Sequence, residues 1–135
     1  MTEALDRYLS DFVTHADRIS RLVARGRTAF DADEFLRYAA EALLVRLGEI
    51  ATRLDQVLPD LASTYPELEL RQMRGTRNVI AHGYDIVDYD VVWEVVSIDV
   101  PRVTTQVLAL LRADDDAVPK GPVEDPESCD QPPEP

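Results

Sequence analysis

Apolar residues recur along this chain at intervals of three and four, the period of helices that bury one face. From about Glu3 to Ala24, Leu5, Leu9, Phe12, Ala16, Ile19 and Val23 share a stripe, and Gly26 with its polar neighbours ends the run. Asp31 followed by Glu34 has the form of a capping box. It predicts a second long helix with Phe35, Tyr38, Ala42, Leu43, Leu47, Ile50, Leu54 and Val57 as its apolar stripe, closed by Pro59. The short connection predicts that these two helices pack as an antiparallel pair. DLASTYPELE, between Asp60 and Glu69, reads as a helical turn and linker. A third helix is expected from Glu69 to His82, capped by Gly83, because glycine takes the left-handed conformation of a helix end without strain. Asp88 then caps a fourth, with Val91, Val92, Val95, Val96, Val100, Val103, Val107, Leu110 and Leu111 on its apolar side. Pro101 is expected to kink or interrupt that helix. The valine-rich DYDVVWEVVSIDV is strand-like on local propensity, but its stripe is helical and nothing else in the chain could pair with it. The predicted fold is all-α: an antiparallel bundle of four main helices with short accessory helical turns.

Composition divides the chain in two. Residues 1–112 carry the periodic pattern and form one domain. Residues 113–135 hold six of the nine prolines and no apolar period, and read as an acidic, Pro-rich disordered tail. The formal charge of −12 at first argues against a nucleic-acid partner. Eight carboxylates and Lys120 lie in the tail, however, so it accounts for −7 and the domain for only −5. All 13 cations of the domain are arginines, and Arg71, Arg74 and Arg77 recur every third residue, a local positive patch suited to RNA phosphates. No apolar run is long enough to span a membrane, and the charged start MTEALDRYLSDF is unlike a signal peptide, so a soluble, cytoplasmic protein is expected. Cys129, the only cysteine, leaves neither an intramolecular disulfide nor a cysteine metal site, and no metal or cofactor motif is present.

The chemistry concentrates in Arg77-Asn78-Val79-Ile80-Ala81-His82-Gly83-Tyr84. Arg77 is a permanent cation with a planar fork that matches phosphate oxygens, and His82 brings the one side-chain type whose unperturbed pKa lies near neutrality. Asn78 shares a helix face with His82, four residues on, whereas Arg77 points about 140° away and must reach round. RNA cleavage by its own 2′-hydroxyl needs a base, an acid and a cation for the phosphorane. One motif has one titrating residue and one cation, so the chemistry calls for two copies facing each other across a homodimer cleft. Taken alone, His82 would be an ordinary helix-end histidine and Tyr84 a loop aromatic with an exposed hydroxyl. Glu49, beside Gly48, either orients a motif arginine across the bundle or is simply solvated. Tyr89 and Trp93 read as core or dimer packing, and His15 as a boundary residue of the helical pair.

RNVIAHGY resembles the signature of the HEPN ribonucleases, and in particular of the HepT toxins of the HepT/MntA toxin–antitoxin systems. LGEIATRL, YPELELRQMRGTRN and YDIVDYDVVWEVV extend the resemblance over roughly the first 112 residues. The departures are Leu70, where relatives often have tryptophan, and the acidic tail. The resemblance implies a HEPN-like helical domain and a metal-independent endoribonuclease that dimerises to form its cleft. By position it makes Arg77 and His82 catalytic, with Asn78 supporting them. Tyr84 matches the tyrosine to which an MntA nucleotidyltransferase antitoxin transfers AMP from ATP, silencing the toxin. The other role the resemblance allows is a non-catalytic HEPN subunit that binds a nucleotide or a nucleotidyltransferase as a scaffold.

Overall fold

The computed structural model describes residues 3–70, 73 and 87–113, and within them every regular element is a helix. Helix α1 (Glu3–Val23) is followed by the six-residue α2 (Arg27–Ala32), the long α3 (Glu34–Val57) and the single turn α4 (Leu61–Thr64). Leu70 and Met73 are helical and buried. The C-terminal helix opens as α5 (Tyr89–Glu94), widens into a π-helical turn (Val95–Asp99) and continues as α-helix over 100–113. No helix among the described residues is long and apolar enough to cross a membrane.

The core is what the periodicity asks for in two of the three long helices. Leu5, Leu9, Phe12, Ala16 and Ile19 of α1 are buried, as are Val92, Val95, Val96, Val100, Val103, Val107 and Leu110 of the C-terminal helix. α1 packs most extensively on α3. Leu5, at the start of α1, shares a groove with Val57 and Leu58 at the end of α3, so the two run antiparallel as expected. The C-terminal helix lies along the other flank of α1, with Val96, Val100 and Leu108 across a groove from Val13, Ile19 and Val23.

Several local details differ from the expectations. The cap of α3 is Asp33, which accepts a 2.9 Å hydrogen bond from the Phe35 N–H, and not Asp31. Asp31 belongs instead to α2, a helix that the polar residues after Gly26 did not suggest, where it pairs with Arg27 at 2.9 Å. Gly26 makes the sharp entry to α2 with φ of 92°, a conformation in which any other residue would be strained. The buried face of α3 is Ala40, Leu44, Leu47, Gly48, Ala51 and Leu54, whereas Phe35 and Tyr38, read as part of the stripe, are 71% and 54% exposed, and Val57 is also exposed. Pro101 interrupts the regular α-helix, as expected, without ending it. Proline has no N–H to donate to the carbonyl four residues back and its ring crowds that carbonyl. The preceding turn widens to absorb this, with the Val100 N–H reaching back five residues to the Val95 carbonyl. Val91, at the start of the same helix, is exposed rather than in the stripe.

Phe30 is fully buried and joins α2 to the C-terminal helix, its ring 6.3 Å from that of Tyr89 at a steep angle and 5.0 Å from that of Trp93. Both partners are half-buried packing residues, as expected of them. Phe30→Ala should lower the free energy of unfolding by about 3–5 kcal/mol, the range for a buried phenylalanine, measured as a fall in the urea midpoint at unchanged m-value. A loss below about 1 kcal/mol would show that α2 is not held through this ring.

Candidate active site

The six motif and patch residues Arg71, Arg74, Arg77, Asn78, His82 and Tyr84 lie outside the described residues, as do Gly83, most of the expected third helix and the tail beyond Ala113. What the structure describes is the frame on either side of them.

On the N-terminal side, eight residues before Arg77, Glu69 is fastened to the C-terminal helix twice. Its backbone N–H donates to Gln106 Oε1 at 2.9 Å, and Gln106 Nε2 donates to its carboxylate at 2.8 Å. Arg102 adds a 3.4 Å ion pair to the same carboxylate and also holds Asp99, at the end of the π-helical turn, at 3.1 Å. Leu70 and Met73, buried at 6% and 1% exposure, anchor the next turn in the core. A smaller residue than tryptophan at position 70 is therefore compatible with a packed entry to the motif segment.

On the C-terminal side, Asp88 caps α5 by accepting from the Asp90 and Val91 N–H groups at 3.0 and 3.4 Å, as its place in the sequence predicted. Tyr89 donates its hydroxyl to Glu41 of α3, and Arg37 lies over its ring at 5.4 Å. The same Arg37 donates to the Phe30 and Asp31 carbonyls at 3.1 and 2.6 Å, satisfying the end of α2. Arg27 bridges Asp90 and Asp31 and lies 5.9 Å from the Trp93 ring. Its hydrogen bonds to Asp90 and then to Asp31 hold its pKa above the ordinary arginine value. Nothing in the sequence announced these clamps: Glu41 and Tyr89 are 48 residues apart, Glu69 and Gln106 are 37, and no periodicity links them.

Glu49 is the one expected site residue within the described part. It is exposed on α3 and shares a polar groove of about 260 Å³ between α1 and α3 with Tyr8, Asp11, His15, Arg46, Ile50 and Arg53. Glu49, Arg46, Arg53 and the Asp11 carboxylate form no ion pair among the described residues. His15 turns its Nδ1 to the Asp11 backbone carbonyl at 2.9 Å, consistent with a boundary position between the two helices.

The hydrogen bond to Glu41, with burial second, pushes the Tyr89 phenol up to about 12. The unfolded chain, with an ordinary phenol near 10, loses this proton first as pH rises, so the native state binds more protons there. Stability from this contact is therefore complete below about pH 10 and is lost as pH rises toward 12. Denaturant titrations between pH 9 and 12 should show the fall in the wild type and a shallower one in Tyr89→Phe; equal slopes would mean that the Glu41 bond does not hold the phenol protonated.

Three comparisons with known proteins bear on this frame. The family described as "Ribonuclease HepT-like" matches residues 13–110, a span that contains both clamps and the whole of RNVIAHGY. Among curated proteins of Methanocaldococcus jannaschii, "Putative RNase MJ1380" is 30% identical over 78 residues, covering 58% of this chain and 69% of its own length. "Putative RNase MJ0125" is 24% identical over 110 residues, covering 78% of this chain and 89% of its own. No solved structure matches the chain. The all-helical frame and the match across nearly three-quarters of the sequence agree: this chain belongs to the HepT-like ribonuclease family.

Proposed function

We propose that this protein is a metal-independent endoribonuclease, the toxin of a toxin–antitoxin pair, which cuts RNA through Arg77 and His82 in the cleft of a homodimer. The observation that carries the reading is that the family match over residues 13–110 includes an intact Arg-x4-His motif followed by Gly-Tyr.

In this reaction the His82 of one copy takes the proton of the 2′-hydroxyl, whose oxygen attacks the adjacent phosphorus. The P–O5′ bond breaks, and the second copy's histidine, protonated beforehand, gives its proton to the leaving 5′-oxygen. The products are a 2′,3′-cyclic phosphate and a 5′-hydroxyl, with no water consumed. Arg77 stabilises the charge that grows on the non-bridging phosphate oxygens, and Asn78 supports the imidazole by a hydrogen bond. Arg71 and Arg74 contact flanking phosphates, where they set RNA affinity and its salt dependence. Glu49, uncommitted on α3, orients an arginine at the cleft. The chemistry uses no metal or cofactor.

Silencing follows from Tyr84, two residues beyond His82. An MntA-type nucleotidyltransferase antitoxin transfers AMP from ATP to the phenol oxygen and releases pyrophosphate. The added phosphate carries the charge that the RNA backbone carries, next to the residues that must bind that backbone, so the modified protein excludes its substrate. The pair acts in the cytoplasm.

Unmodified protein, its mass confirmed, should cleave RNA in excess EDTA and leave cyclic-phosphate ends. His82→Ala should slow cleavage by about 10²–10⁴-fold, the usual contribution of a general acid or base, and Arg77→Ala by a similar factor. Absence of cleavage by an unmodified dimer would overturn the enzymatic reading and leave a non-catalytic HEPN subunit that binds its nucleotidyltransferase as a scaffold.

A further inference from the structure

The end of α1 carries a concentration of positive charge that the bundle does not use. Between Phe12 and Phe30 stand four arginines, Arg18, Arg21, Arg25 and Arg27, against the single carboxylate Asp17, a balance of +3 within a domain that totals −5. Two of the four are engaged: Arg27 is held by Asp31 and Asp90, and Arg21 pairs with Asp17 at 3.3 Å. Arg18 and Arg25 are exposed and make no ion pair among the described residues. Helical hydrogen bonding carries on past Val23, with the Ala24 N–H on the Ser20 carbonyl at 3.0 Å. Carried to position 25, that geometry sets Arg18 and Arg25 within about 20° of one line and roughly 10 Å apart, with Arg21 about 60° to one side.

An arginine in the last turn of a helix is favoured by the dipole whether or not it binds anything. That does not account for Arg18, which lies further back and is unpaired. The Asp17 pair is itself a loose hold on Arg21, because the two side chains are 71% and 66% exposed and water screens them. A row of exposed cations matches a polyanion, whose phosphates recur along a line. Toward the other end of α1 the same line meets the exposed Asp11, where the basic stretch stops. Position decides between RNA and the acidic tail as that polyanion. Arg27, two residues beyond Arg25, is bonded to Asp90, and Asp90 follows His82 by eight residues, so His82 lies within roughly 28 Å of this end of the bundle even along a fully extended chain. The tail departs from the opposite end, about 35 Å from Asp90 along the C-terminal helix.

We infer that the face formed by Arg18, Arg21 and Arg25 is an auxiliary RNA site, which holds phosphates of the strand several nucleotides away from the bond that is cut. The guanidinium forks bond phosphate oxygens, so the face adds affinity and register without reading bases. Arg21 exchanges Asp17 for a phosphate when RNA binds. The inference rests on RNA being the ligand of the proposed function, but not on the cleavage chemistry. A substrate of two nucleotides ends before it reaches these arginines, so only longer RNAs gain from them.

Retention of a long single-stranded RNA on a filter tests it, with every protein carrying His82→Ala so that the RNA is not consumed. Arg18→Gln/Arg25→Gln should bind more weakly, and its slope of log affinity against log salt should be flatter by about 1.4, the loss of two phosphate contacts at about 0.7 each. Its deficit should therefore shrink by about sevenfold between roughly 50 and 200 mM salt. Arg18→Lys/Arg25→Lys, which keeps both charges, should restore the slope. With His82 in place, Arg18→Gln/Arg25→Gln should raise KM for the long RNA at unchanged kcat and leave kcat/KM for a dinucleoside monophosphate as in the wild type. Both positions are exposed, so native helicity by circular dichroism is expected of all the variants. An unchanged slope, or an equal loss on the long RNA and the dinucleoside monophosphate, would overturn the inference. A protein that retains no RNA at all would overturn it together with the ribonuclease reading. Cleavage without the change of slope removes the auxiliary site alone; a change of slope with no cleavage by the wild type removes the chemistry alone.

Discussion

The contact on which the frame depends is the packing of Phe30 against Tyr89 and Trp93. A helix of six residues has no stability of its own, because forming its first turn orders several residues for one hydrogen bond. α2 persists because its one buried ring is locked between α3 and the C-terminal helix, and because Arg37 satisfies its last carbonyls. The same contact brings Tyr89 to Glu41 and Asp90 to Arg27, and so anchors the chain where its description resumes at residue 87. Glu69 and Gln106 anchor it on the other side of the motif segment. Tyr89 and Gln106 lie on one continuous helix, so a single element sets both ends of the segment that carries Arg77 and His82.

How much of this was legible follows from what a one-dimensional pattern records. α1 and the C-terminal helix each have a single apolar side, and most of their buried residues were readable from spacing, the exceptions being Leu22, buried in place of Val23, and the exposed Val91. α3 has two. Its core side is built partly from Ala40, Gly48 and Ala51, which permit close packing but weigh little in a hydrophobic count, while Phe35 and Tyr38 mark a different face. Large apolar side chains therefore drew the stripe toward the outside. α2 was hidden because Arg27, Thr28 and Asp31 are polar and its burial rests on Phe30 alone. Pro101 was legible as an interruption of its helix, and the interruption takes the form of one widened turn, after which Val103 and Val107 continue the core.

The candidate site divides in the same manner. Arg77, Asn78, His82 and Tyr84 are candidates by the kind and order of their functional groups and by the family resemblance, both of which the sequence alone carries. The clamps that frame them join residues 37 and 48 positions apart, and only a folded chain brings such pairs together. Glu49 was legible as a charged residue next to a glycine, with Arg46 and Arg53 on its own helix face, but not as a member of a groove with Tyr8, Asp11 and His15, which come from α1.

A site with one imidazole per chain completes acid–base cleavage most simply when a second copy contributes another. Arg71, Arg74 and Arg77 are the run of closely spaced cations that lies beside His82, the other such run, Arg18, Arg21, Arg25 and Arg27, being at the end of α1 and the start of α2. On this reading the acidity of the chain as a whole disfavours non-specific RNA binding, and the local basic run decides where a phosphate can dwell long enough to be cut.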